Sequence, residues 1–300
     1  MVKIARIMMF LMFFHFPGRL LGEETISQKN TVHFIADFPE DKQKAAEFFL
    51  ELGEKAVQFF KDQGFDPPQD KVSLVYCATQ KDFLQKSGLN PEHIVACASP
   101  ERRAIFINGE QFQILKKEDI QPVMIHEYAH IYLGLKVAAS LPLWLNEGLA
   151  MHLAGEWSFG DSVNLSLAHV MNRFIPFSQL SENFPYGKSE MRIAYLQSYS
   201  MTDFIMKNFF GKGGLNPFLK RLERPNESFE IISRLQDPII LKSLEVQWRN
   251  HLGARWRNIL YIILSGSLTW FFITLLFLYA YYKKRKQKKE QEALWEEEYQ

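Results

Sequence analysis

The segment VMIHEYAHIYLGL, Val123 to Leu135, sets two histidines four residues apart with a glutamate directly after the first. On a helix, His126 and His130 lie one above the other on one face, so both imidazoles can reach a single tetrahedral cation at zinc–nitrogen distances of about 2.0–2.1 Å. Glu127 points about 100° away around the helix and can approach a water beside the metal without becoming a ligand, which is the place a general base needs. By residue frequencies alone an H-E-x-x-H string arises in on the order of one chain of this length in a hundred. The pentapeptide is therefore suggestive but insufficient, because a hydrolytic zinc site also needs a third protein ligand and an open position. The stretch LPLWLNEGLAMHLAG, Leu141 to Gly155, offers a carboxylate at Glu147 on a separate helix that follows a turn at Ser140 to Pro142.

With these residues in view the sequence resembles the gluzincin zinc metallopeptidases, within them the peptidase MA-like group, in which H-E-x-x-H is followed by a helix bearing a tryptophan and then E-G-x-A. Here those positions are Trp144, Glu147, Gly148 and Ala150, and the likeness covers about Val72 to Phe210. It implies that His126, His130 and Glu147 bind Zn2+ and that Glu127 activates water. It also implies a tyrosine that stabilises the oxyanion, for which Tyr195 in AYLQSYS stands in the matching place and Tyr199 is a competitor. An extended peptide would pair with an edge strand, here Ala104, Ile105, Phe106, Ile107 and Asn108, since main-chain pairing is a recurring mode of peptide capture. No G-x-M-E-N stretch precedes the motif, and sixteen residues separate His130 from Glu147, which favours an endopeptidase of the smaller group over an aminopeptidase.

The elements that must position these residues are legible in part. Asp41 to Phe65 places Ala45, Phe48, Phe49, Leu52, Ala56, Phe59 and Phe60 at helical intervals, the pattern of one buried stripe. Lys71–Thr79, His93–Ser99 and Arg103–Gly109 read as three strands, the last two joined as an antiparallel hairpin that leaves AIFIN either central or at an open edge. Glu118 and Asp119 offer a capping carboxylate and Pro122 an early proline for a helix reaching about Val137. Ser166–Phe177, Ser189–Phe210 and Asn216–Leu222 follow helical patterns, with Gly211 to Gly214 as a break. The fold class expected is α+β: a zincin-like metallopeptidase domain with a small mixed or antiparallel sheet and an active-site helix, plus one C-terminal transmembrane helix. His152, His169 and Glu156 lack the E-G-x-A setting and read as structural; Arg102 and Arg103 read as a solvated turn.

The chain ends suggest a destination. A Lys-Arg start, the apolar run Ile7 to Phe14 and HFPGRLLGEE have the layout of a secretory signal peptide over residues 1–22, cleaved near Gly22 or retained as an anchor. Ile259 to Tyr282 is 24 residues without a charge, roughly 36 Å as a helix, flanked by tryptophan and tyrosine. Six basic residues in KKRKQKK after it, against Arg249, Arg255 and Arg257 before it, put the C-terminus in the cytoplasm. The domains expected are thus 1–22 signal peptide, 23–257 extracytoplasmic peptidase domain, 258–282 transmembrane helix and 283–300 cytoplasmic tail. That makes a single-pass cell-membrane protein with the lipid bilayer as one partner and a peptide or protein substrate as the other.

Composition excludes more than it includes. With 35 basic and 34 acidic residues the formal net charge is +1, so no global field draws the chain to nucleic acid. Cys77 and Cys97 lack the paired spacing of a cysteine zinc site, though an oxidising compartment would let them bridge. Besides the anchored peptidase, two readings stand: a non-catalytic, membrane-anchored binding or assembly module that keeps the fold, and an intramembrane protease. Pro122, Lys136 and Pro142 interrupt the spans the latter needs.

Overall fold

The computed structural model describes residues 26–88, 94–210 and 214–298, with the side chains of 26, 117–118, 255–265 and 289–298 outside the description. The proposed signal peptide, 1–22, lies outside the described residues. The chain divides into two compact units, residues 1–248 and 249–300.

The first unit is built on a five-stranded sheet. Strands β1 (Ile26–Asn30), β2 (Phe34–Pro39), β3 (Val72–Cys77), β4 (Ala96–Ser99) and β5 (Ala104–Asn108) take the order β1-β2-β3-β5-β4. The β2–β3 and β3–β5 pairs are parallel, whereas β1–β2 and β4–β5 are antiparallel. The mixed α+β architecture and the β4–β5 hairpin match the sequence expectation. Two strands, β1 and β2, were not expected; QKN in β1 carries no apolar signal, and FIADFP in β2 alternates too briefly before its proline.

One expected site is corrected here. Ala104 to Asn108 form no edge: Ile105 pairs with Leu74 on one side and with Ala98 on the other. All five residues are buried, and the Asn108 side chain is committed to Gln80 and the Ile94 carbonyl. Among the described strands the sheet's edges are β1 and β4, and β4 is the one beside β5. Arg102 and Arg103 are exposed in the turn between β4 and β5, as expected, though the Arg102 guanidinium also donates to the carbonyls of Lys86 and Ser87, the last turn of α2 (Gln80–Ser87), and lies 4.5 Å over the Phe106 ring. Cys77 and Cys97 are free thiols buried with Phe83, Ile94 and Phe106. Burial pushes the Cys77 thiol up to about 12, as expected of an inert core group.

Helix α1 (Gln43–Asp62) covers one face of the sheet, but its buried stripe is rotated from the expected one. Ala46, Leu50, Gly53 and Val57 are buried beside Phe49, Leu52, Ala56 and Phe60, while Phe48 is 38% exposed and Ala45 and Phe59 are only half-buried. A stripe of phenylalanines can be drawn along either side of FFLELGEKAVQFF, and packing selects the side whose small residues let Phe34 approach at Gly53.

Beyond α3 (Gly109–Phe112), α4 (Lys117–Lys136) lies between α1 and α5 (Leu143–Ala154). Its N-cap is Lys116 rather than a carboxylate, and Pro122 falls inside the helix. Tyr128 and Tyr132 point to the sheet side, where they meet Phe34, Phe60 and Phe65 at ring separations of 5.0–5.9 Å. Helix α6 (Phe159–Val170) starts seven residues earlier than the pattern indicated, because Ser158 and Asp161 form a reciprocal capping box, and the chain turns at Asn172 with φ 51°. The unit continues through α7 (Phe177–Leu180), α8 (Lys188–Phe209), α9 (Leu215–Leu222) and α10 (Pro225–Gln236) into α11 (Pro238–Glu298).

The transmembrane assignment of 258–282 is also corrected. Among the described residues no helix is long and apolar enough to cross a membrane. In α11 the described uncharged stretch from Gly266 is diluted by Ser267, Thr269, Thr274 and three tyrosines before Lys283. The single-pass placement, with the body outside the cytoplasm and the tail within, falls with that span.

Candidate metal centre

Three side chains converge between α4 and α5. His126, His130 and Glu147 are each about 1% exposed or less, and their ligand atoms all lie within 4.8 Å of one another. Nε2 of His126 is 3.1 Å from Nε2 of His130, and the Glu147 Oε2 stands 3.6 and 3.7 Å from them. Ligands of a tetrahedral ion at about 2.0–2.1 Å are separated by about 3.3–3.4 Å, so the triangle has the size a small divalent cation requires. The chemistry of the set fits too. Both Glu147 oxygens are buried without a hydrogen-bond partner, a costly arrangement that a cation would relieve. This buried group can bind a metal ion.

The convergence has identifiable local causes. The i, i+4 spacing puts the two histidines on the α5 side of α4, opposite Tyr128 and Tyr132. Helix α5 is fixed by Trp144, fully buried edge-on to Phe177 at 5.2 Å, with Phe177 in turn against Trp248. One turn on from Trp144, Glu147 therefore faces inward. Gly148 explains the glycine of the motif: a Cβ there would collide with Thr202 Oγ1 and the Ser198 carbonyl of α8. Only a bare backbone lets α5 approach α8 closely enough to seat Glu147.

Glu127 is fully buried, and neither of its carboxylate oxygens has a hydrogen-bond partner. Burial pushes its pKa up to about 8; nearby His126 pulls the other way, as does the backbone of Ala98 on the β4 edge. Burial lowers His130 to about 4. For His126 burial also works against the cation, but the Glu156 carboxylate, followed by Glu147, prevails and holds it well above the ordinary histidine value. A bound cation inverts this balance.

Of the other residues singled out in the sequence, Tyr195 lies on α8, 3% exposed, on the helix face shared with Ser198 and Thr202 that meets α5 next to Glu147. Tyr199 stands elsewhere, stacked between His152 at 3.7 Å and Trp157 at 4.2 Å. His152 is structural as expected, its Nε2 within 3.1 Å of the Tyr199 carbonyl. Two neighbours of the ligands were not expected. Glu156 Oε1 is 3.2 Å from His126 Nδ1, and Asn146 Oδ1 is 3.3 Å from His130 Nδ1. The adjacency of Asn146 to Glu147 and the turn signalled by Gly155 hint at both, but the direction of either side chain is a matter of packing. Compared with known proteins, the chain matches no family model and no curated protein.

Proposed function

We propose that this protein is a zinc-dependent metallopeptidase, an endopeptidase of gluzincin type, that hydrolyses peptide bonds of a peptide or protein substrate. The observation that carries the reading is the buried His126–His130–Glu147 triangle of metal-site dimensions with an uncoordinated, fully buried Glu127 directly beside it. A structural metal site has no use for that fourth group, which is expensive to bury unpaired.

His126, His130 and Glu147 would hold a zinc ion, which would supply Lewis acidity to a substrate carbonyl and a water. Glu127 takes the proton from that water as it attacks the carbonyl carbon and returns it to the departing amine. Tyr195 donates a hydrogen bond to the carbonyl oxygen as charge develops there. The free edge of β4, whose Ala98 lies beside Glu127, takes over from β5 the role of pairing with an extended substrate chain.

Elemental analysis and peptide cleavage by wild type, Glu147→Ala and Glu127→Gln test this together. The expected result is about one zinc per chain in wild type and in Glu127→Gln, little in Glu147→Ala, and cleavage reduced by about 10²–10⁴-fold in Glu127→Gln. Turnover by Glu127→Gln equal to wild type removes the catalytic assignment. Zinc bound by wild type without cleavage of any peptide would leave a binding module.

A further inference from the structure

The turn between α5 and α6 is fastened on both sides. Gly155 ends α5 in the left-handed region at φ 68°, and the Glu156 amide donates back to the Met151 carbonyl at 3.0 Å. Trp157 stacks on Tyr199, which stacks on His152, and the Trp157 indole donates to Ser162 Oγ at 3.0 Å. On the α6 side, the capping-box residue Asp161 is 1% exposed and lies 3.3 Å from Arg192 of α8. Glu156 sits between these fastenings. Its side chain is 16% exposed and places Oε1 3.2 Å from Nδ1 of His126.

The geometry at His126 is directional. Its Nε2 faces His130 and Glu147, so a metal taken there requires the proton on Nδ1, beside which the Glu156 carboxylate stands in an ion-pair contact of 3.2 Å, short of a formed hydrogen bond. The other histidine is supported differently, by the neutral amide oxygen of Asn146. Two metal-binding histidines of one helix thus have unequal partners, one charged and borne on a turn clamped by three stacked rings.

We propose that Glu156 is a positioning residue: clamped by the Trp157–Tyr199–His152 stack, it fixes the ring of His126 and thereby sets the affinity of the centre for a divalent cation. The assignment rests on the metal-binding reading of His126, His130 and Glu147 and adds to it a residue outside the H-E-x-x-H and E-G-x-A strings. Glu156 touches neither substrate nor metal. Its effect passes through His126, and the aromatic stack makes Trp157 part of the same device.

The test is zinc affinity of the full chain by competition with a chromophoric chelator, for wild type, Glu156→Gln, Glu156→Ala and Trp157→Ala. Loss of the outer partner of a metal-binding histidine typically weakens metal binding about 10–100-fold, and that is expected for Glu156→Ala. Glu156→Gln keeps an acceptor oxygen and should recover part of the loss, and Trp157→Ala, which removes the stack but leaves the Glu156 carboxylate, should fall between Gln and wild type. The cobalt(II)-loaded Glu156→Ala protein should show an altered visible spectrum, which a general loss of stability would not produce. Should Glu156→Ala fail to fold, the nearly isosteric Gln variant decides. Zinc affinity of both Glu156 variants within about twofold of wild type, with an unchanged cobalt spectrum, overturns the positioning role while leaving the metal site standing. A wild-type chain that takes up no zinc overturns both.

Discussion

Helices α1 and α4 are each 20 residues long and pack against one another, yet they bury different things. Helix α1 hides one apolar stripe and turns its lysines and glutamates to water, the ordinary economy of a surface helix. Helix α4 is buried on every side from Val123 to Leu133, and that span includes His126, Glu127 and His130. Burial of a carboxylate without a hydrogen-bond partner costs stability, and neighbouring His126 offsets only part of it for Glu127. The difference separates a helix explained by folding from one whose inner face folding alone would not have chosen.

The comparison can be broken at the contact between the two helices. Phe60 of α1 is fully buried against Tyr128 and Tyr132, so Phe60→Ala should cost about 3–5 kcal/mol in denaturant unfolding. Phe48→Ala, one of the phenylalanines the sequence pattern also placed in the core, should cost clearly less, about 1 kcal/mol, because its ring is 38% exposed at the rim beside Phe49. Equal losses would mean the stripe is not rotated as described.

A sharper test removes the charge that α4 buries. In the metal-free protein, Glu127→Met should raise stability by about 1–3 kcal/mol, since an unpartnered buried carboxyl gives way to an apolar side chain of similar length. A marked loss would show that Glu127 supports the fold and would weaken its catalytic assignment. The smallest effect concerns the outer face of α1. Burial opposes the Glu54 carboxylate, but the Thr31 side chain and His33, whose amide donates at 2.9 Å, outweigh it and lower the pKa below 4.5. A depressed carboxyl contributes stability above its unfolded pKa and loses it as pH falls through the folded value. The acid limb of a stability–pH curve should therefore be shallower below about pH 4.5 for Glu54→Gln than for wild type, with the two parallel near neutrality.

The chemistry-bearing residues were legible because they are written in local periodicities. Spacing of four on α4 and the carboxylate of WLNEGLA define the three ligands, and a helix that must carry them is visible in the same residues. The hairpin of β4 and β5 was legible for the same reason, since a short turn joins its strands. What failed was whatever depended on partners distant in the chain. Whether AIFIN is an edge depends on β3, some thirty residues earlier, which pairs with its outer side. The rotation of the α1 stripe depends on Phe34 at Gly53, and the start of α6 on a capping box that competes with a later apolar pattern.

By itself, then, the sequence determined which residues could ligate a metal, on which helices they stand and which glutamate lies beside them, because helical pitch converts spacing into direction. Only the tertiary structure decided that the three candidate ligands meet at about 3–4 Å, that β4 and not β5 is the edge strand on that side, and that Glu156 and Asn146 stand behind the histidines. Those outcomes rest on the close approach of α5 to α8 at Gly148 and on the aromatic layers either side of α4. Packing of that kind joins residues the chain keeps far apart, and no local pattern records it.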